Sequence, residues 1–399
     1  MRVIVIGAGI GGLAAALTLR RAGLEVAVFE QAPQLREIGA GIQISPNANR
    51  ILHRLGLADA LRRVAVRPLA IEIHRWDDGR LLTRQPLADL CEQNFGAPYY
   101  HLHRPDLLEV LAAALPNDVL HLDHRCVGLI QHHDQDDKVE VKFHNGLTAD
   151  ADLVIGADGI HSTIRGLILG PESPRFSGHV AYRGLVPAAR LEHLGLEVNA
   201  SMWWGPHHHF VHYFVGEGAR YVNWVAIGRG EWRIESWTAR GEIADALKEF
   251  AGWHPQVGAI ISAADFTNRW ALYDRDPLPN WTVGRVTLLG DAAHAMLPYM
   301  AQGAVQSIED AAVLAKCLER VDASNDVSAA LQRYEEIRRP RASRCQAGSR
   351  ANGITYHLPD GEDQRKRDSN VASSATAPLP QNAWLYGHDV EAEFDRPSL

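Results

Sequence analysis

Three apolar runs that each break at glycine, and one long stretch of alternating aromatic residues, predict an α/β fold. The expected architecture is a Rossmann-like, doubly wound nucleotide-binding domain assembled from distant segments, with an inserted mixed antiparallel sheet and C-terminal helices. The first run is Val3-Ile4-Val5-Ile6, followed by Gly7-Ala8-Gly9-Ile10-Gly11-Gly12, an Ala/Leu-rich segment and Glu25-Val26-Ala27-Val28-Phe29-Glu30. It reads as strand, tight turn, helix, strand, acid. The second, Ala151-Asp152-Leu153-Val154-Ile155, meets Gly156-Ala157-Asp158-Gly159. The third, Arg285-Val286-Thr287-Leu288-Leu289, meets Gly290-Asp291.

A helix N-terminus can aim its N–H groups at a pyrophosphate only where the preceding turn lacks side chains. Gly7 permits that turn, Gly9 lets the phosphate approach, and Gly12 lets helix pack on strand. Glu30 follows about 20 residues later, where a carboxylate accepts from both ribose hydroxyls of an adenosine. The motif indicates a dinucleotide; it does not separate FAD from NAD.

At about 150 residues per domain, 399 residues predict two or three domains. With 46% hydrophobic and 22% charged residues the chain is an ordinary globular one with ample core. Its net charge of −8, without a Lys/Arg block at either end, argues against nucleic acid or an anionic membrane as partner. Cys91, Cys126, Cys317 and Cys345 form no CxxC and no metal-ligand spacing, so no metal is expected and a reduced, cytoplasmic protein is the simplest reading. The chain opens on its first strand, so no cleavable leader is expected, and no apolar run reaches the ~18 residues of a membrane span.

Along the chain, the two glycines in 35–42 predict backbone lying against something flat or bulky. Ser45-Pro46 reads as the start of a helix over 48–56, with strands at 70–76 and 81–84 around Asp77-Asp78-Gly79. His103-Arg104-Pro105-Asp106 precedes a helix over 107–115; by position alone Arg104 is a surface arginine. Short strands follow at 119–122, 126–132 and 138–143. From 176 to about 229, Tyr182, Trp203, Trp204, Phe210, Tyr213, Phe214, Tyr221 and Trp224 alternate with polar residues, the pattern of an antiparallel sheet with one lining face. Helices over 242–250 and 253–261 and a return to the sheet at 270–276 follow. A helix over 304–320 and another over 328–350 close the body, the second expected to kink or break at Pro340. Residues 369–376 read as a mobile link, and 382–387 as an apolar patch returned to the body.

In order and spacing the three glycine junctions resemble the single-component flavin-dependent aromatic hydroxylases, whose fold is of the p-hydroxybenzoate hydroxylase (PHBH) type. Salicylate hydroxylase, 3-hydroxybenzoate 6-hydroxylase and 6-hydroxynicotinate 3-monooxygenase belong to that family. The resemblance covers 1–350. It implies an FAD-binding domain at 1–70, 100–175 and 280–330, a substrate-binding sheet at 71–99 and 176–279, and C-terminal helices and tail at 331–399. Gly7, Gly9 and Gly12 would hold the FAD pyrophosphate and Glu30 the adenosine ribose. Asp158-Gly159 would support the pyrophosphate and affect NAD(P)H use; Gly290-Asp291 would hold the ribityl chain. Arg104 matches the family arginine near the FAD. Gly303 and Ala304 would begin a helix whose positive end faces the flavin N1–C2=O edge and stabilises the reduced flavin. NADH or NADPH binds such proteins transiently, and a monomer or homodimer is expected.

The family's chemistry needs O2 as well: NAD(P)H reduces the flavin, O2 adds at C4a, and the electrophilic hydroperoxide attacks an electron-rich ring. A phenolate is a better target than a phenol, so the site needs a proton acceptor in a dry pocket. In a strand over 207–213, His207, His209, Val211 and Tyr213 share one face, and His208, Phe210 and His212 the other. His209 and Tyr213 match the family's substrate-contacting His and Tyr: His209 as proton acceptor or orienting group, Tyr213 as hydrogen-bond partner. Pro298 and Tyr299 are expected across the pocket. 3-Hydroxybenzoate 6-hydroxylase carries Gln where Pro298 stands, and 6-hydroxynicotinate 3-monooxygenase carries His where Tyr299 stands. Those departures, and the similarity of 356–361 to salicylate hydroxylases, point to salicylate, whose attack at the carboxyl-bearing carbon would release CO2 and give catechol. The two other acids are the alternatives. A flavin-binding redox sensor or a non-hydroxylating oxidoreductase is the reading of another class.

Overall fold

Val3, Ile4 and Val5 are fully buried at the centre of a six-stranded sheet. The computed structural model describes residues 1–35, 40–132, 137–234, 239–319, 321, 326–374, 382–392 and 394. Strand Arg2–Ile6 lies between Leu153–Gly156 and Glu25–Phe29, parallel to both. The sheet continues through Val286–Leu288 to Thr282–Val283 on one side and to Leu120–His121 on the other. These strands read as unbroken apolar runs because both faces of a parallel sheet are covered. Helix Ile10–Arg21 packs on helix Gly303–Leu318, where Thr18 Oγ1 donates to the Ala311 carbonyl at 3.0 Å.

Ile6 pairs with Gly156, and Gly156 with Leu288. The three glycine turns therefore leave the same edge of the sheet side by side, although some 280 residues separate the first from the last.

The aromatic stretch forms a mixed eight-stranded sheet. Its order is Arg240–Gly241, Thr267–Asp274, Arg175–Pro187, Tyr221–Arg229, His208–Val215, Ala200–Gly205, Ala70–Arg75 and Leu81–Pro86. All neighbours are antiparallel except Ala200–Gly205 and Ala70–Arg75. Its outer face is sealed by Phe250, Val257, Ile260 and Ile261 of helices packed on Tyr182, Trp203, Phe210 and Trp224.

The helix expected to kink or break at Pro340 does not break there, running from Val327 to Tyr356. A helix-interior proline costs about 3 kcal/mol, and bonds on either side of it offset that. Arg338 donates to Glu309, Asp310 and the Gln306 side chain, each at 2.7 Å, and Arg341 grips Glu309 at 2.7 and 2.8 Å. The expected link over 369–376 is also corrected: residues 369–374 belong to helix Glu362–Ser374, and 375–376 lie outside the described residues. Its polar sequence hides a docked face, for Gln364, Arg367 and Asp368 are buried and Arg367 lies over the Trp204 ring. Leu385 and Tyr386 return to the body as expected.

Glu309, Asp310 and Arg338 are wholly buried. Burial alone would push both carboxyls up. Arg338 and Arg341 hold Glu309 at about 2, and His294 and Arg338 hold Asp310 at about 2. Removing one partner of such a cluster strands the others' charge, which costs about 3–5 kcal/mol. Arg338→Met should lose that much in equilibrium unfolding; a loss below about 1 kcal/mol would show that the cluster is not held by its charges.

Candidate active site

The first turn is set by two close approaches. Gly7 has φ +106°, and a Cβ there would stand 2.4 Å from the Ala157 carbonyl oxygen; a Cβ on Gly12 would stand 1.9 Å from the Gly7 oxygen. Gly9 differs, since a Cβ there would meet nothing within 4 Å. It caps helix Ile10–Arg21, whose first turn has neither a capping side chain nor an acid. Open space before uncapped N–H groups is what a pyrophosphate requires, so the residues present fit a dinucleotide. Glu30 ties the turn down: its carboxylate accepts from Ala8 N at 2.8 Å and Ala32 N at 2.9 Å. Each oxygen keeps a lone pair for a ribose hydroxyl.

The other two turns are braced differently. Asp158 accepts from Ser162 Oγ at 2.5 Å and Ile164 N at 3.1 Å, anchoring the start of helix Thr163–Leu169. Burial raises its pKa, and those bonds oppose the rise. Gly159 is left-handed with nothing against it, whereas a Cβ on Gly290 would strike Ser307 Oγ at 2.6 Å. Asp291 opens to solvent, yet enclosure by protein pushes its carboxyl up while His294 and Arg104 pull it down. An open surface with a crowded surround describes a cleft. Gly303, at the uncapped start of helix Gly303–Leu318, faces it, with its Cβ position 3.8 Å from Asp291 Oδ1; Ala304 follows, half-buried. Arg104 begins helix Arg104–Ala113 and lies close enough to Asp291 to influence its ionisation.

The inner face of the aromatic sheet meets this edge. His209, Val211 and Tyr213 share that face with Trp204, Met202 and Ala200 on one neighbouring strand and Ile227, Val225 and Asn223 on the other. Both ends are buried, but the middle row of Ile73, Met202, Val211, Val225 and Arg183 is only partly covered. His209 and Tyr213 stand about 13 Å apart along the strand, with this mostly apolar floor between them. At one end the His209 ring lies 5.3 Å from that of Tyr299, whose carbonyl accepts from Tyr356 at 2.9 Å. At the other, the Tyr213 ring lies 4.6 Å from His101 and closes on Gly41, whose N–H donates to Asn223 at 2.7 Å. Gly41 thus lies against a ring as its sequence predicts; Gly39 is outside the described residues. Pro298 is exposed beside Tyr299.

Burial pulls His209, His101 and His212 down to about 3 and His179 to about 4, with His179 and His208 adding to the effect on His209. Burial likewise raises Tyr213, Tyr299 and Tyr356. At neutral pH the rings around the floor are uncharged. The sheet also brings in residues that the sequence did not single out. Arg183, drawn down to about 9 by burial, lies over the Trp270 ring at 3.8 Å. His357 stands beside His209, and His179 beside His357. A cation within an aromatic, alternating strand was the available signal for Arg183; His357 had none, being 148 residues from its partner.

Residues 1–349 match the FAD binding domain family. 3-Amino-4-hydroxybenzoate 2-monooxygenase PtmB3 of Streptomyces platensis is 44% identical over 98% of this chain and 96% of its own. 6-Hydroxynicotinate 3-monooxygenase of Bordetella bronchiseptica is 40% identical over 98% and 96%. A salicylate hydroxylase solved with its substrate superposes with a TM-score of 0.83 at 29% identity, covering 100% of this chain and 99% of the other. Fold and relatives together define a flavoprotein aromatic monooxygenase. The chain belongs to the FAD binding domain family.

Two expectations follow. Gly12→Ala forces a Cβ into the Gly7 carbonyl, so the purified variant should lack the flavin absorbance of the parent; a yellow variant with full FAD would show that the turn yields. The buried imidazoles titrate below the ~6.5 of an unfolded histidine, so between the two values the unfolded chain binds more protons. Their contribution to stability is complete above pH 6.5 and falls as the pH drops towards 4. Unfolding midpoints measured from pH 7.5 to 5 should decline, and a flat profile would contradict their burial.

Proposed function

We propose that this protein uses FAD, NAD(P)H and O2 to hydroxylate a small aromatic acid whose phenolic hydroxyl lies para to its carboxylate. The observation that carries this reading is the half-open apolar row between His209 and Tyr213, beside the glycine turns of the first sheet. A flat ring needs such a floor, and its polar substituents need partners at the margins. Arg183 is the cation on that floor, and we assign it the carboxylate. His209, neutral and largely dry, takes the phenol proton or orients the hydroxyl, with Tyr213 as hydrogen-bond partner. Tyr299 and Pro298 form the facing wall.

When bound, FAD supplies the reduced flavin that activates O2 for transfer of one oxygen atom. Gly7, Gly9 and Gly12 would hold its pyrophosphate with Asp158 and Gly159, Glu30 its adenosine ribose, and Asp291 with Gly290 its ribityl chain. Arg104 stands near Asp291 for the same ligand, and the start of the helix at Gly303 and Ala304 offsets negative charge on it. The expected division into an FAD-binding domain, a substrate sheet and C-terminal helices is carried forward on the same terms.

The para preference rests on two relatives. 3-Amino-4-hydroxybenzoate and 6-hydroxynicotinate both carry hydroxyl and carboxylate at opposite ends of the ring. Salicylate carries them side by side, and 3-hydroxybenzoate one carbon further apart. The solved salicylate hydroxylase supports the ortho alternative through its fold.

The test is a panel of these four acids, reading NADH oxidation, O2 uptake and product. One or both para acids should accelerate NADH oxidation at least about tenfold and yield a hydroxylated ring. Acceleration by salicylate alone removes the para assignment; H2O2 without product removes hydroxylation. His209→Ala should lower product formation about 10²–10⁴-fold while FAD content holds. Equal loss of both would make His209 structural.

A further inference from the structure

His209 has a partner that its proposed role does not use. Its Nδ1 lies 2.6 Å from Nε2 of His357, the residue that ends helix Val327–Tyr356. That bond leaves Nε2 as the His209 nitrogen for a ligand. Two imidazoles this close share one hydrogen: one nitrogen donates and the other accepts. His357 is 5% exposed, and its carbonyl accepts from His207 N at 3.0 Å. Its own Nδ1 is buried with no hydrogen-bond partner among the described residues. The His357 ring lies 4.7 Å from that of His179, which is partly exposed and whose buried Nδ1 is likewise without one. The three imidazoles therefore run from the end of the apolar floor towards the surface.

We propose that His357 is the middle station of a proton relay that carries the substrate's phenolic proton from His209 towards His179 and solvent. The inference rests on the reading of His209 given above. The phenol O–H bond breaks as a bond forms to His209 Nε2. The hydrogen on His209 Nδ1 passes to His357 Nε2, and the hydrogen on His357 Nδ1 leaves towards His179. One proton moves outward, both imidazoles end neutral with exchanged tautomers, and no electrons are transferred. The ring can thus become a phenolate without leaving a cation buried beside it.

The surroundings favour a conduit over a store. The rings of His179, from strand Arg175–Pro187, and Tyr299 lie against His357, while His208, from His208–Val215, and Arg229, from Tyr221–Arg229, act on it electrostatically. Asp360, the nearest acid along the chain, is paired to Arg75 at 3.0 Å. Burial, followed by the nearby imidazoles and Arg229, pushes His357 far below the usual histidine range. A proton arriving there has reason to move on.

The test measures product formation from pH 6.5 to 9.5 with the panel acid that turns over, in the parent, His357→Phe, His357→Gln and His209→Ala holoproteins. Phenylalanine removes both the bond and the path. Glutamine keeps a donor for His209 but cannot pass a proton through itself. Both His357 variants should fall about tenfold at pH 7 and recover to within about twofold at pH 9, where solvent base removes the proton, with unchanged FAD content. A loss equal at every pH would make His357 merely structural. A glutamine variant as fast as the parent at pH 7 would overturn the relay even should the phenylalanine variant not hold FAD. Turnover lost in His209→Ala but intact in both His357 variants removes the relay alone. Turnover intact in His209→Ala removes the underlying reading with it.

Discussion

Two adjacent carboxylates with no access to water, Glu309 and Asp310, tie helix Pro46–Arg54, the third glycine turn and the long C-terminal helix to helix Gly303–Leu318. Burying one such charge costs several kcal/mol unless it is paired and its lone pairs are filled. The chain meets that demand with groups from three places. Asn47 Nδ2, from helix Pro46–Arg54, donates to Glu309 at 2.6 Å. Arg338 and Arg341 come from the long C-terminal helix. His294 and the Gly290 N–H donate to Asp310 at 2.6 and 3.0 Å. The Gly290 bond holds the third glycine turn, and with it Asp291, at a set distance from the start of helix Gly303–Leu318. Arg341 carries the restraint on to the carbonyls of Trp384 and Leu385. A cluster this dependent on each member tolerates little displacement, and so keeps the third glycine turn in a set place beside the other two.

The second sheet solves a different problem. A floor for an aromatic ring must be apolar and partly open, which by itself invites collapse or aggregation. Here the outer face of the same strands is sealed by helices, so the sheet is rigid from behind. Its inner face is buried at both ends, by Tyr299, Tyr356 and His357 at one and His101, Gly41 and Tyr99 at the other. The row between stays partly uncovered from Ile73 to Arg183. The opening is therefore defined by its margins.

How much of this could be read in advance depended on how far the determining contacts reach along the chain. Gly7, Gly9 and Gly12 were legible because the forces that select glycine act within one turn and leave a local pattern. That His209 and Tyr213 share a face was legible because strand alternation sorts faces without knowledge of the partner strand; what singled them out on that face was the family resemblance. The buried charges were not: Glu309 and Asp310 read as ordinary helix residues until Arg338, about thirty positions on, meets them. The same contact carries the helix through Pro340, where local propensity alone gives a break. Helix Glu362–Ser374 was misread for a related reason. Its composition is that of a solvated linker, and only docking on Trp204, from far upstream, gives Arg367 and Asp368 a buried place.

Hydroxylation on the proposed pathway sets two demands in conflict. The oxygen-transfer step needs a dry pocket, because water would destroy a reactive oxygen species and weaken every local dipole. Making a phenolate needs a route for a proton, and protons move through hydrogen-bonding groups. A carboxylate at the His209 position would satisfy the second demand but bring fixed charge and hydrating water to the ring. Neutral imidazoles satisfy both: each offers one donor and one acceptor, and each stays uncharged in a site that disfavours its cation. The arrangement separates the two functions in space, with the apolar row beneath the ring and the imidazoles beyond its edge. The tyrosines around them, held in their neutral form by burial, add hydrogen-bonding capacity without adding charge. On this view His209, His357 and His179, drawn from three separate elements, meet because a proton must travel where neither water nor charge can be admitted.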